Sequence, residues 1–406
     1  MKKACAVVGA GIVGRLLAWR LAHDGHEVTV FSDRRLDSKE GCSQAAAGML
    51  APFCELDHSE VEICSAGIFG ISFWRQLERI LGADLGFRQN GSQVVAVAED
   101  QLQLKHLFET LKRKISAWQP QLLPASPLFA GEYLKMYQEI FSKNDTEKQS
   151  QQLLQWMVNN DSKNNTEYLT HRFQNNIFCQ FEAQVDAQKA LTVLTQHLSH
   201  LPNVVLRVPE EVLRVEAKKI FLKAGAAEEF EIVFDCRGFA SSKSDANGVR
   251  RELRPVRGES AIVYCSEVEL SRPIRMLHPR YPIYVVPRAN QQFFVGATQI
   301  ESGFTGNITV RSTMELLSAL YCIDPAFGEA EVLEFRSGLR PAYEDNLPQL
   351  LREDSLFVLN GFFRHGYLLA PYFVEQISLM LAEGALNTNG AERKTAYLSQ
   401  KGLLWK

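Results

Sequence analysis

The sequence lacks any apolar stretch long enough to cross a bilayer as a helix, so no segment reads as a membrane span. It also lacks a basic block: 44 Lys and Arg against 47 Asp and Glu leave a net charge of −3. That balance argues against nucleic acid or an anionic membrane as a partner. There is no C-x-x-C pair and no metal-type cluster. Cys5, Cys42, Cys54, Cys64, Cys179, Cys236, Cys265 and Cys322 are scattered, several in apolar strand-like contexts. Such usage fits a reducing compartment and gives a cytoplasmic expectation. The opening "MKKACAVVGAGIVG" imitates a secretory signal in its basic beginning and apolar run. Glycines break that run, however, and it continues into an amphipathic pattern, so it reads as the first element of the fold.

What is present is a soluble-type composition, 46% hydrophobic and 22% charged over 406 residues, which predicts two domains. The run "ACAVV" (4–8), the glycine turn "GAGIVG", a helical pattern through Leu17, Ala18 and Leu21, and "VTVF" spell a βαβ unit. Further strands are predicted at 203–208, 231–236, 260–265, 283–288 and 292–298. The last two form a hairpin across "AN". A final helix is expected over 371–384, carried by Phe373, Ile377 and Leu381. Residues 100–176 are rich in Lys, Gln, Asn and Ser. They carry two patches at helical spacing, Leu134, Tyr137, Ile140, Phe141 and then Leu153, Leu154, Met157, Val158. These read as surface helices packed on the body, with a partner-docking face or lid as the alternative.

Gly9, Gly11 and Gly14 form G-x-G-x-x-G between a strand and a helix, the context of a dinucleotide site. The first glycine permits the turn, the second lets backbone approach a pyrophosphate, and the third lets helix pack on strand. The helix N-terminus then offers free N–H groups and a positive dipole end. Ser32 occupies the slot where an acid would grip the ribose, with Asp33 one step later. Asp33 either reaches the ribose or is an exposed turn residue. No second glycine fingerprint follows, which argues against enzymes that bind both a flavin and a nicotinamide.

The stretch "SQAAAGMLAP" (43–52) places small residues around Gly48, where backbone could approach a flat ring. This segment resembles the flavin-contacting segment of the glycine oxidase (ThiO)-like branch of the D-amino-acid oxidase family. So do "PIYVVPR" (282–288), "FFVGATQIESGF" (293–304), "SGLRPAYEDNLP" (337–348) and "GFFRHGYLLAP" (361–371), in the family's order. The resemblance implies an α/β fold (α+β overall): a Rossmann-like FAD-binding domain interleaved with an antiparallel-sheet substrate domain. It assigns 1–85, 185–250 and 335–406 to the first, and 86–184 and 251–334 to the second, with a variable helical segment at about 115–176. Non-covalent FAD is implied. Ile12, Val13 and Gly14 would sit at the phosphate turn and Ser32 and Asp33 by the ribose. Cys42, Ser43, Ala47, Gly48 and Met49 would line the flavin, and Val212 would offer backbone atoms to adenine. Phe362, Phe363, Arg364, His365, Gly366, Tyr367 and Leu368 would pass beside the ring, offering N–H groups to its pyrimidine edge.

The same resemblance implies that Arg340 clamps a substrate carboxylate with its planar fork. Arg364 would be a second substrate contact, held by substrate or by carbonyl groups, and Tyr284 a pocket wall. The alternative for either arginine is an internal pair with a loop acid such as Glu344 or Asp345. Four positions depart from the family pattern. Ser32 replaces an acid and Asn346 a glycine; Gln299 and His365 would make the pocket, which Met49 also lines, more polar. His365 is either structural or catalytic. The implied reaction is oxidation of an amine by hydride transfer from Cα to flavin N5, then imine hydrolysis, with dioxygen reduced to hydrogen peroxide. Glycine, sarcosine or a small D-amino acid is the expected substrate. Alternatives are a dehydrogenase with another acceptor, an oxidase for a larger or protein-borne amine, and a non-catalytic FAD-binding assembly protein. A homo-oligomer, and a protein partner docking through 115–176, are left open.

Overall fold

A computed structural model describes residues 2–57, 59–141, 173, 176–225, 227–244, 253–384, 394–399 and 402–405. Its helices are α1 (Ile12–His23), α2 (Glu62–Leu81), α3 (Gln101–Ala117), α4 (Pro127–Ile140), α5 (Ala187–His200), α6 (Val310–Ile323) and α7 (Gly366–Ala382). They flank two large sheets.

The first sheet has parallel strands at its centre. Ala4–Val8 lies between Glu27–Phe31 and Ile232–Asp235, with Val204–Arg207 and Leu356–Asn360 outside them. Both faces are covered, which is why "ACAVV" reads as an unbroken apolar run. Cys5 and Val7 face the core shared with α1, α2 and α7, while Ala6 and Val8 pack with Val212, Val215 and Ile220 of a small three-stranded sheet. The α/β reading with a Rossmann-like half therefore holds.

The second sheet runs Ile300–Glu301, Arg254–Tyr264, Gln292–Gly296, Ile283–Pro287, Ile274–Leu277, Ser92–Ala96 and Asn176–Cys179. The strand Glu331–Ala342 pairs antiparallel along Arg254–Tyr264. The expected hairpin is present, with Val285 opposite Val295. Alternation sorts its faces: Val263, Val285 and Val295 pack with Leu316 and Leu320 of α6, whereas Ile262, Tyr284, Val286 and Phe294 face Ala47 and Met49. That second face carries the site. The boundary set at 334/335 falls inside the strand Glu331–Ala342, because one continuous ladder delivers Arg340 to the sheet's end.

Two helix expectations are corrected. The final helix begins at Gly366, five residues before the predicted start, and includes Pro371. Proline cannot donate to the carbonyl four residues back. The buried Trp74 indole replaces that donor, Nε1 to Tyr367 O at 2.7 Å. In α4 the buried stripe is Phe129, Tyr133, Met136 and Ile140, so Leu134 is exposed rather than packed. Phe129 stacks on Phe73 of α2 at 4.2 Å, so α4 packs on the body of the protein as expected. The patch Leu153, Leu154, Met157, Val158 lies outside the described residues.

Candidate active site

The glycine turn is built as a dinucleotide site requires. Gly9 has φ +107°, and a Cβ there would lie 2.6 Å from the Cys236 backbone; a Cβ on Gly14 would collide with Gly9 O. At the start of α1 no side chain of its own caps the helix. Instead the Ile12 N–H donates to Ser43 Oγ at 3.0 Å, and Val13 and Gly14 have no intrahelical acceptor. A Cβ on Gly11 would press to 3.1 Å from Ser43 Oγ, into the mouth of that turn. These residues fit the diphosphate of FAD: free N–H groups, a dipole end, and a Ser43 hydroxyl whose proton remains to donate. Next to the turn, Ser32 Oγ accepts from Arg34 N at 3.3 Å. Asp33, next to it, is exposed and faces Arg34 at 3.9 Å. The Val212 carbonyl is taken by Arg237 at 3.0 Å, and Arg237 is held by Asp235 at 2.8 Å.

The 42–49 segment joins this turn to the second sheet. Arg288 donates to Ala47 O, and Met49 pairs with Gln184. Gly48 has φ +69°, but the atom that would meet its Cβ is Val185 O. Its missing side chain admits the Val185 backbone, which also donates to Gly48 O at 2.9 Å and fixes the segment's path. Burial raises the Cys42 thiol's pKa and keeps it protonated.

The run 362–368 leads into α7. The N–H of Phe363 donates to Pro341 O and that of His365 to Phe362 O, both at 2.8 Å. The first intrahelical bond of α7 runs from Leu369 N to His365 O. Gly366, Tyr367 and Leu368 are thus left with N–H groups lacking an intrahelical acceptor. Phe362 packs on Phe373. The Tyr367 hydroxyl donates to Ser43 O at 2.9 Å, tying the two helix N-termini together.

Arg340 stands opposite Val256 with its guanidinium over Gly258, where any Cβ would strike it. Nη1 donates to Thr298 O at 3.0 Å. Among the described residues no carboxylate pairs with it, so the alternative of a Glu344 or Asp345 partner is not what forms. Thr298 is itself held by Glu259, whose N–H donates to Thr298 Oγ1 at 2.9 Å; the buried Glu259 pairs with Arg257 at 2.6 Å. Tyr284 lies opposite Gly296 and parallel to Phe294, ring centroids 6.1 Å apart. Burial raises its hydroxyl's pKa, against a smaller lowering by Arg340 and Arg364, so it remains a donor.

Arg364 follows the alternative of an internal pair with an acid, though not with Glu344 or Asp345. It is held by a carboxylate, Glu55 Oε2 at 2.5 Å from Nη2, and not by carbonyl groups. Burial works to raise the Glu55 carboxyl, but the neighbouring charges overcome it and hold the group at about 2. His365 Nδ1 lies 3.9 Å from the same oxygen. Burial pulls that imidazole down to about 4, so it is neutral near pH 7 and the charges that act are Arg364 and Arg275. Glu55 escaped the sequence reading, although it follows the "GMLAP" block by only a few residues. Its turn, Cys54–Asp57, is anchored where the N–H groups of Phe53 and Cys54 donate to buried Glu182 at 2.9 and 2.7 Å. Gln299 does not join this group. It is exposed, next to the Thr298 carbonyl that accepts from Arg340. Asn346 takes the left-handed conformation, φ +57°, that the replaced glycine would have used.

A model of the FAD dependent oxidoreductase family, DAO, matches residues 4–377. The chain is 34% identical over 383 residues to a Rhizobium etli protein named as a thiamine biosynthesis oxidoreductase, ThiO, covering 92% of this chain and 95% of that one. Its fold matches glycine oxidase from Geobacillus kaustophilus with a TM-score of 0.71 at 22% identity, over 94% of this chain and 95% of the other. Iminodiacetate oxidase from a Chelativorans species matches equally, TM-score 0.71 at 21% identity over 94% and 95%. At such identities the solved structures speak for the fold. With the glycine turn, the family match and the ThiO relative together, the chain belongs to the DAO family of FAD-dependent oxidoreductases, on its glycine oxidase (ThiO)-like branch.

Proposed function

We propose that the protein oxidises a small amino acid carrying one carboxylate, with glycine, sarcosine and small D-amino acids as the class, and passes the electrons to dioxygen. The observation that carries this reading is the charge inventory of the pocket wall. Arg340 has no carboxylate partner among the described residues, whereas Arg364 is neutralised by Glu55. One unmatched guanidinium suits one carboxylate. A dicarboxylate such as iminodiacetate, the compound named for the Chelativorans relative, would have to displace Glu55 from Arg364.

FAD would be held by the α1 N-terminus with Gly9, Gly11, Ile12, Val13, Gly14 and Ser43, by Ser32, Asp33 and Val212 at the adenosine end, and by Cys42, Ala47–Met49 and 362–368 at the ring. When bound, it supplies the acceptor for the hydride leaving the substrate Cα. The chain's own residues then have three tasks. The Arg340 fork takes the carboxylate with two parallel bonds. Thr298, fixed by Glu259, sets the direction of that fork, and placement matters because an error of about 1 Å can cost on the order of a hundredfold. Tyr284 and Met49 wall the pocket so that the amine enters in one orientation.

No protein base is required. His365 is buried and neutral, and Glu55 is committed to its ion pair, so the substrate amine's own ionisation governs the reaction's pH dependence. Anaerobic titration of the flavin absorbance with glycine, sarcosine and D-amino acids tests the proposal, since bleaching by one of them is expected. Air then separates oxidase from dehydrogenase by the speed at which colour returns.

A further inference from the structure

Three arginines are almost wholly buried among the described residues: Arg15, Arg20 and Arg257. Arg20 has carboxylate partners in Asp24 and Glu375, and Arg257 has one in Glu259. Arg15 has none among the described residues. Its guanidinium donates only to neutral oxygens: Nε to Ala10 O at 2.8 Å, Nη1 to Leu191 O at 2.7 Å and to Thr195 Oγ1, and Nη2 to Leu36 O at 2.8 Å. Burial pulls its pKa down to about 10, which still leaves a cation near pH 7. The hydrogen bonds satisfy the donors but not the charge, and a buried cation without a counter-ion is destabilising. Such a charge in a folded chain points to an anion that arrives from outside.

Its position names the anion. Arg15 directly follows Gly14 in the first turn of α1. Ala10 belongs to the glycine turn and Leu36 to the loop after Glu27–Phe31, and Leu191 and Thr195 are on α5, so the guanidinium fastens together the elements around the diphosphate site. The Ala10–Gly11 peptide is trans and planar, so holding its carbonyl toward Arg15 fixes the Gly11 N–H in the opposite direction. Gly11 is the glycine at which backbone approaches a diphosphate.

We propose that Arg15 is the built-in counter-charge of the FAD diphosphate, acting from behind the turn as a positioning residue. It orients the Ala10–Gly11 peptide. It also places a unit positive charge in a low-dielectric setting, where the charge reaches the phosphates without touching them. Cofactor binding then neutralises a charge that the folded chain otherwise carries unmatched.

Holoenzymes carrying Arg15→Lys and Arg15→Gln separate charge from scaffolding, since both lose the four-point fork but only lysine keeps the cation. The readout is the FAD dissociation constant, from free-flavin fluorescence on dilution. R15Q is expected to bind FAD at least roughly tenfold more weakly than R15K, the factor that 1.4 kcal/mol represents. A smaller gap, or R15Q at the wild-type value, overturns the proposal, because a purely structural role moves both variants alike. Should R15Q fail to fold, Arg15→Met takes its place in the comparison with R15K, and the same tenfold gap decides.

Discussion

Glu55→Gln is the perturbation most closely tied to the pocket's charge inventory. In the native protein the Glu55 carboxylate sits 2.5 Å from Arg364 Nη2, with side chains 22% and 25% exposed. A pair of unit charges about 4 Å apart interacts by about 4 kcal/mol at an effective dielectric constant near 20. Partial exposure and the amide's residual hydrogen bonding reduce the difference that a ligand can use to about 1.5–3 kcal/mol, the range for a hydrogen bond to a charged group. Removing the charge leaves Arg364 a second unmatched guanidinium among the charges that act on Tyr284, and two guanidinium groups favour two carboxylates. The expected result is a rise of roughly ten- to hundredfold in the ratio of kcat/KM for iminodiacetate to that for glycine. Steady-state oxygen consumption on both compounds measures it. A ratio within threefold of wild type would refute the inference that Glu55 keeps Arg364 from a second carboxylate.

Arg340→Lys exchanges a two-bond fork for a point charge and should raise the KM for the amino acid by roughly ten- to hundredfold, with a smaller effect on kcat. An unchanged KM would remove Arg340 from the carboxylate site. His365 has a folded pKa of about 4 against an ordinary 6.5, because burial disfavours the imidazolium. Between those values the unfolded chain binds a proton the native one does not, so His365 lowers stability as pH falls through that window. His365→Asn should therefore flatten the fall in melting temperature between about pH 6.5 and 4, while leaving the pH profile of kcat/KM in place. A wild-type melting slope, or a shifted activity profile, would contradict this reading. Trp74→Phe should cost about 1–3 kcal/mol, because Tyr367 O loses a donor that Pro371 cannot replace. Adding Pro371→Ala should recover part of that loss by supplying the missing N–H, and additive effects in the double-mutant cycle would refute the link.

Much of the fold was legible because its strands are short, apolar and bounded by glycine. "ACAVV" and "EIVFDC" declare strands buried on both faces, and the hairpin across 289–290 follows from two apolar runs. Helix limits were harder. Pro371 suggested a start, and only the tertiary contact from Trp74 shows how a helix can run through it. The phase of α4 was misjudged because Leu134 is apolar yet exposed, while the aromatic residues Phe129 and Tyr133 meet α2. At the site, Arg340 and Tyr284 were read through motif resemblance, and the Arg340 charge acts on the Tyr284 hydroxyl. Glu55 was missed because its role depends on a contact across more than 300 residues of chain with Arg364. The contact of Gly48 with Val185 was hidden for a related reason: a bare glycine in sequence does not say which backbone comes close.

The central claim is that an unmatched Arg340 makes this a flavoenzyme for small monocarboxylate amines. Anaerobic titration of the holoenzyme with glycine, followed through the flavin absorbance and repeated with Arg340→Lys, tests it most directly. Bleaching of the native protein by glycine, sarcosine or a small D-amino acid, moved to much higher concentration in R340K, is the expected result. Failure of every small amino acid to reduce bound FAD, or equal titration curves for native protein and variant, would contradict it.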